Sequence, residues 1–197
     1  GTLNVSGEVV NGAGSGTLNI DGGTVNTGTI GVDNLNIANS AGTSGSHTLG
    51  TGESITAGTE TIGGSGTGLF TQTGGTNTIT NDLTIGNNTG SSGTYNLSGG
   101  TSTSFTLELG INAGSSGTYN LSDTGSLTTT SAAIGRSGTG LFVQTGGTHT
   151  NGAMGIATDI GSSGTYSLSG TALLSSGGQY VGSSGTGVFM QKKKTSN

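Results

Sequence analysis

The chain has 197 residues, a formal net charge of −5 and 44 glycines, but no proline, cysteine or tryptophan. Four lysines and arginines in all are too few to line a phosphate track, so we predict no nucleic-acid partner. The lack of cysteine excludes disulfides and the commonest structural zinc sites, and no stretch is apolar enough for membrane insertion.

A strand pattern opens the chain. Leu3 and Val5 alternate with polar residues in GTLNVSG at 1–7, and Leu18 and Ile20 do the same in GTLNIDG at 16–22. Alternation with period two predicts a strand with one buried and one wet face. A weaker copy follows at 45–50, and residues 1–65 hold the least regular units.

The clearest copies fill residues 66–191 and take two forms. GTYNLSG at 93–99 returns at 117–123 and 164–170, and a sister form, GTGLFTQ, at 66–72 returns at 138–144 and 185–191. Alternation places one set of apolar residues inside, where like side chains stack as a ladder. The predicted core ladder comprises Leu18, Ile20, Phe70, Tyr95, Leu97, Tyr119, Leu121, Phe142, Tyr166, Leu168 and Phe189.

A second strand follows in most units and ends in an apolar-Gly pair such as Ile85-Gly86. A corner of sequence GSSG comes next at 90–93, 114–117, 161–164 and 182–185, where glycine supplies the positive φ of a tight turn. Measured between the glycines that open the units, the spacings are 15, 29, 21, 27, 24, 21, 26 and 21 residues. Periods of 20 to 50 residues are typical of solenoids.

We therefore predict an all-β, right-handed parallel β-helix of about 8–9 coils of 21–29 residues, folded as one domain over residues 1–191. Stacking should bring Asn96 near Asn120 and Tyr95 near Tyr119. The chain begins in mid-repeat, as a fragment or a processed chain would. The basic tail at 192–197 is either a cap that discourages edge pairing or a truncation artefact.

The repeats GTLNIDGGTV, GTGLFTQTGGT and GTYNLSGGT resemble those of bacterial autotransporter passenger domains and related secreted surface proteins. The resemblance covers nearly the whole chain. It implies a β-helical stalk that holds adhesion modules away from a bacterial cell, hence an extracellular or cell-surface location. The outer-membrane translocator barrel of that family has no counterpart in this sequence.

The sequence offers no catalytic residue, cofactor site or metal site that we would assign. Its nine acids are spread through the units and are expected to be solvated. Asp82, Glu108 and Asp159 fall near the second strand of their coils, so that stacking is the one route by which some of them would come together. His47 and His149 are isolated and are expected at the surface or in corners. A polysaccharide-cleaving enzyme, which needs clustered carboxylates, is the least favoured function.

Five apolar residues break the wet face of the sister form. Because successive side chains of a strand point to opposite faces, a strand that buries Phe70 turns its neighbour Leu69 outward, and the same holds in the later copies. The possible lateral interface comprises Leu69, Leu141, Val143, Val188 and Met190, unless a bulge turns these residues inward.

Two classes of function remain. The favoured one is a non-catalytic extracellular structural protein, either a surface stalk or a fibre subunit that stacks end to end as a homo-oligomer. The alternative is a solenoid that binds ice or carbohydrate through rows of threonine and asparagine, such as Thr71–Thr73, Thr76–Thr78, Thr101–Thr103 and Thr145–Thr150. A coil length that varies from 21 to 29 residues argues against the flat array that ice binding requires.

Overall fold

The computed structural model describes residues 1–192, and the secondary structure within that range is entirely β. Seven strands have six residues each: β6 (Ser44–Leu49), β8 (Thr67–Gln72), β11 (Ser92–Leu97), β13 (Ser116–Leu121), β15 (Thr139–Gln144), β17 (Ser163–Leu168) and β19 (Thr186–Gln191). Six strands have nine residues each: β5 (Thr29–Ile37), β7 (Ser54–Ile62), β12 (Thr101–Leu109), β14 (Ser126–Ile134), β16 (Thr148–Ile156) and β18 (Leu173–Val181). The remaining strands are shorter: β1 (Thr2–Asn4), β2 (Glu8–Val10), β3 (Thr17–Ile20), β4 (Thr24–Asn26), β9 (Thr76–Ile79) and β10 (Asp82–Ile85).

Every strand pair is parallel, which confirms the predicted β-solenoid, here of about eight turns. The six-residue strands form one sheet in the order β19-β17-β15-β13-β11-β8-β6. The long strands, with β2, β3, β9 and β10, form a second sheet, and β1 pairs with β4. Strands thus pair with their counterparts in neighbouring coils. The right-handedness of the β-helix stays a prediction.

Each long strand bends in the middle, so a coil has three faces. Burial alternates along β12 until Phe105, where two successive side chains lie outside, and then alternates again in the opposite phase. We call the outer surfaces of the six-residue strands, of the first halves and of the second halves faces A, B and C. In one coil the long strand is interrupted at the bend and forms two strands, β9 and β10. Thr80 and Asn81 there lie opposite a single residue of the next coil, Phe105. This extra residue is a bulge.

The register corrects the predicted spacing of the coils. In the sister form Gly68, not Gly66, pairs with Gly93, so that sequence matching based on the GT pair was two residues out of register. The true column is Gly45, Gly68, Gly93, Gly117, Gly140, Gly164 and Gly187, with steps of 23, 25, 24, 23, 24 and 23 residues. These steps lie within the predicted range of 21–29 residues, but the individual spacings taken from the GT pairs were wrong, and the coils are nearly equal in length.

Close packing explains why this column is glycine. A Cβ on Gly93 would lie 2.2 Å from the carbonyl oxygen of Ile62, and one on Gly117 would lie 2.2 Å from that of Ile85. The six-residue strand passes too close to the end of a face C strand of a neighbouring coil to admit a side chain. The recurring glycine therefore marks a contact between faces and not only a turn.

The N-terminal units also differ from the prediction. β3 pairs with the second half of β5, so that Leu18 lies beside Leu35 and Ile20 beside Ile37. Leu18 and Ile20 thus belong to the core, but in another column from the Tyr and Phe residues with which they were grouped. The segment beginning at Gly16 is a face C strand and not a copy of the strand at 93–97.

The predicted corners are confirmed. The glycine after each apolar strand end has a positive φ, as in Gly86 (72°) and Gly135 (72°), and Ala38 and Ala157 occupy the same site with φ of 55°. In the GSSG corner the Ser115 hydroxyl donates to the carbonyl of Asn112 at 2.7 Å. The chain therefore turns in the same way in each coil.

The core is a thin stack of like side chains. The rings of Phe70, Tyr95, Tyr119, Phe142 and Tyr166 follow one another at centroid distances of 4.6, 4.8, 4.9 and 4.5 Å. Leu97 and Leu121 are buried beside them, whereas Leu18, Leu168 and Phe189, nearer the ends, are partly buried. The predicted tail at 192–197 lies outside the described residues except for Lys192, whose amide donates to the carbonyl of Leu168 at 2.9 Å.

Candidate functional surfaces and the buried polar nodes

Face A carries the predicted lateral interface. Strict alternation in β8 and β15 turns these side chains outward, so no bulge reverses them. Leu69, Leu141, Val188 and Met190 are exposed and Val143 is partly buried. Thr94 and Thr118 separate Leu69 from Leu141 along their column, so the apolar residues form separate patches and not a continuous stripe.

Polar residues of face A form ladders between coils. The Asn120 amide donates to the side-chain oxygen of Asn96 at 2.8 Å, as predicted. The same arrangement joins Asn36 to Asn19 at 2.8 Å on face C and Asn26 to Asn4 at 2.7 Å at the N-terminal end. These contacts fix the register between neighbouring coils.

Face B carries two neighbouring columns of hydroxyl side chains, which we call the threonine array. The pairings of β7, β9, β12, β14 and β16 place Thr76 next to Thr101 and Thr78 next to Thr103, and the columns continue in both directions. The array comprises Ser54, Thr76, Thr101, Ser126 and Thr148 in one column and Thr56, Thr78, Thr103, Thr128 and Thr150 in the other. All ten side chains are exposed or partly exposed.

The array differs from the rows predicted from sequence. Thr71 lies on face A and Thr73 follows it in a turn, so neither belongs to face B. Of the predicted 145–150 row only Thr148 and Thr150 point outward on this face. The threonines that stack are those two residues apart within the first half of a long strand.

Face C carries the charged contacts. Arg136, to which sequence reasoning assigned no role, pairs with Glu108 across coils at 2.9 Å. Asp82 accepts a hydrogen bond from Thr106, and Asp159 accepts one from Ser137 at 2.6 Å. These carboxylates each bind a separate partner and do not converge on one another.

Glu60 contradicts the expectation that the acids are solvated. It is fully buried in a column between Leu35 and Leu83. Its Oε2 accepts a hydrogen bond from the Asn77 amide at 2.7 Å, and its Oε1 has no partner among the described residues. Burial raises the pKa of this carboxyl to about 7, and the Asn77 hydrogen bond offsets part of the rise.

Asn77 belongs to a buried cluster that we call the first polar node. The Tyr95 hydroxyl donates to Gln72 Oε1 at 2.5 Å and accepts from the Asn77 amide at 3.1 Å. The Gln72 amide in turn donates to the carbonyls of Gly75 and Thr101. Gln72 therefore ties the tyrosine of the next coil to the turn between faces A and B.

A second polar node repeats this arrangement three coils away. The Tyr166 hydroxyl donates to Gln144 Oε1 at 2.5 Å and lies 3.1 Å from His149 Nδ1. His149 is fully buried and stacks on Phe142 at 5.0 Å. Burial lowers the pKa of its imidazole to about 4, so the ring is neutral at physiological pH. Its other ring nitrogen, Nε2, lies 3.2 Å from the Thr129 hydroxyl.

The expected surface positions of both histidines were therefore wrong. His47 is also buried, at the end of the aromatic ladder, where its ring lies 5.6 Å from that of Phe70. Burial lowers the pKa of its imidazole. Histidine fills a slot that is Phe or Tyr in the following coils, and it stacks as those rings do.

Sequence reasoning missed both nodes, although a signal for them was present. The segments Gln72-Thr-Gly-Gly-Thr-Asn77 and Gln144-Thr-Gly-Gly-Thr-His149 recur, and a GTY strand follows each of them. Glutamine at an inward position that is Leu in β11 and β13 indicates a buried partner for a polar group in the next coil. Tyr119, which follows Leu97 and not a glutamine, has a buried hydroxyl without a partner in residues 1–192.

The two best-formed depressions are open grooves, one beside Asp33 and Thr56 and the other at the N-terminal end beside Leu3 and Val25. Within residues 1–192 no group of three His, Asp or Glu side chains is placed to hold a metal ion. Nor does that range include a helix with the length and apolarity to cross a bilayer.

Comparison with protein-family models, with curated proteins and with solved structures found no match to this chain.

Proposed function

We propose that this chain is a non-catalytic structural element of an extracellular protein: a β-solenoid that forms a stalk or adhesin segment, or a fibre subunit that stacks end to end. The observation that carries the proposal is the stacking itself, because each strand pairs in parallel with its counterparts in neighbouring coils. Such a body grows along one axis, by about 4.8 Å per coil. The resemblance of the GTYNLSGG-type repeats to autotransporter passengers supports the extracellular setting.

The two ends of the described coils support end-to-end stacking. Side chains that point inward are covered by both neighbours in the middle, as for Ile156, which is fully buried. Its register partner Val181 in the last long strand is 47% exposed, and Leu3 at the other end is 49% exposed. Another coil placed on either edge, whichever chain supplies it, buries these side chains and pairs the free backbone groups.

Electron microscopy and sedimentation of the purified 197-residue chain test this proposal. We expect rods that lengthen as the protein concentration rises, with an unchanged width. A charge at the edge, in the variant Leu174→Lys/Val181→Lys, should shorten them to single rods, while Ile160→Lys, at a corner residue that is 90% exposed, should not. Single short rods of wild-type protein at all concentrations would exclude end-to-end assembly of this chain.

A further inference from the structure

The threonine array on face B has a regularity that a stalk does not need. Within β9, β12, β14 and β16 the outward residues of the first half are Thr or Ser at both positions, and register partners face one another without a shift. Neighbouring hydroxyls lie about 4.8 Å apart across strands and roughly 6.7 Å apart along a strand. The array is a two-dimensional lattice of hydroxyl and methyl groups.

The bends and insertions of the coil leave this lattice undisturbed. The bulge at Thr80 and Asn81 follows Ile79, beyond the array, and the turns that vary in length precede it. With coils of nearly equal length, the objection that irregular repeats prevent a flat array no longer holds. Threonine adds rigidity, because its branched side chain has few rotamers in a strand.

The array hydroxyls are free to bind an outside partner. Among the described residues, none of the ten array side chains makes a hydrogen bond to the protein, whereas the inward hydroxyl of Thr129 on the same strand as Thr128 donates to Asn151 at 2.8 Å. No array position carries a charge, in contrast with Glu108 and Arg136 on face C. Face B shares this lack of charge with face A, but only face B presents hydroxyl side chains alone at both outward positions over five coils.

We propose that the threonine array binds ice. The array is an extended face whose one described depression, the groove beside Thr56 at its edge, is open, so the face is unsuited to a small ligand, which proteins bind in concave pockets. Such a face suits a solid whose surface atoms repeat with a similar spacing. Many weak contacts then form together, and little further side-chain entropy is lost because the threonine side chains are already ordered. Ordered water presents such oxygens, and the threonine pairs offer each of them a hydroxyl and a methyl group.

The inference goes beyond the structural role and does not depend on it. A monomeric rod presents the same face as a filament, and loss of end-to-end assembly leaves the array intact. A crystalline polysaccharide also presents repeated oxygens, but proteins that hold sugar rings usually stack aromatic side chains on them, and the ten array positions carry none.

Thermal hysteresis of the purified chain, with incorporation of the protein into a slowly growing ice hemisphere, tests the proposal. The array variant is Thr103→Tyr/Thr128→Tyr, in the central strand β12 and its neighbour β14. The matched control is Thr94→Tyr/Thr118→Tyr, at partly exposed sites in two neighbouring strands of face A. Tyrosine is well tolerated in strands, and circular dichroism and thermal unfolding verify the fold of both variants.

We expect wild type and control to depress the freezing point below the melting point and to enter the ice, and the array variant to lose at least nine-tenths of that activity. Absence of hysteresis and of ice incorporation in the wild type would overturn the proposal. Equal activity in the folded array variant would do the same, as would binding to crystalline cellulose without any effect on ice.

Discussion

Glu60 occupies a position that is leucine in the coils on either side. A carboxyl group whose pKa is about 7 when folded, against an ordinary 4.5, binds its proton more tightly in the folded chain. Its contribution to stability is complete below pH 4.5 and is lost as the pH rises to 7, by about 3 kcal/mol. His149 acts in the opposite sense, since a pKa lowered from 6.5 to about 4 makes the folded chain less stable as the pH falls from 6.5 to 4.

The two groups therefore mask each other between pH 4.5 and 6.5, and single variants should separate them. In Glu60→Gln the free energy of unfolding should rise with pH across this range. In His149→Asn, which copies the residue of the first node, it should fall with rising pH. Urea unfolding at several pH values measures both slopes, with Glu8→Gln, at an exposed site, as control. Equal slopes in both variants would refute the assigned pKa shifts.

Tyr119 provides a test of the polar nodes at the same scale. Its hydroxyl is buried without a partner, so Tyr119→Phe removes a desolvated polar group and should leave the free energy of unfolding unchanged or raise it by about 1–3 kcal/mol. Tyr166→Phe should lower it by about 1–3 kcal/mol, because Gln144 Oε1 loses its donor. The comparison uses denaturant unfolding of both variants; a similar loss in both would mean that Tyr119 is also hydrogen-bonded.

At the scale of the strand, the close approach of faces A and C depends on the glycine column. Gly117→Ala would place a Cβ 2.2 Å from the carbonyl oxygen of Ile85 and 2.7 Å from the amide nitrogen of Gly110, both backbone atoms. We expect a loss of about 3 kcal/mol or more in the free energy of unfolding. The control is Gly178→Ala, whose Cβ would have nothing within 4 Å, and it should be neutral or slightly stabilising. Equal effects would contradict the packing.

The alternation of apolar residues was enough to predict the strands, the parallel stacking and the inward rings. The alternation was not enough to align the two repeat forms, because both contain a GT pair. Only the packing of Gly68 against the end of β5 shows that this glycine is the one that pairs with Gly93. The buried acid and histidines were missed for a related reason. Their neighbours in space, Asn77 for Glu60 and Tyr166 for His149, are 17 residues away in sequence and become contacts only when the coil closes.

At the scale of the whole molecule, the three faces have different chemistry. Face A mixes hydroxyl, amide and apolar side chains, face B is the uncharged threonine array, and face C carries the ion pair. One solenoid can therefore associate along its axis through its edges and laterally through a face. The two kinds of assembly differ in particle width, which electron microscopy resolves.

Lateral association through face A is tested by Leu69→Asn/Leu141→Asn. Both leucines are exposed, at 40% and 36%, so their replacement should not affect the core. If the apolar patches pair with a second copy, the wild type should sediment as a concentration-dependent dimer and the variant as a monomer. Unchanged sedimentation and solubility would remove the interface hypothesis. Ile160→Asn, at an exposed corner, controls for general solubility.

The stacking of coils in the stated register is tested most directly by disulfide cross-linking, because the chain has no cysteine of its own. In Leu69→Cys/Thr94→Cys the two positions are register partners, about 4.8 Å apart, within the range of a disulfide. In Thr67→Cys/Thr94→Cys the offset of two residues separates them by roughly 8 Å, which is too far. Oxidation should close a disulfide within the chain of the first variant and leave the second reduced. Cross-linking of the second variant alone would contradict the stated register, and cross-linking of neither would contradict the stacking of these coils.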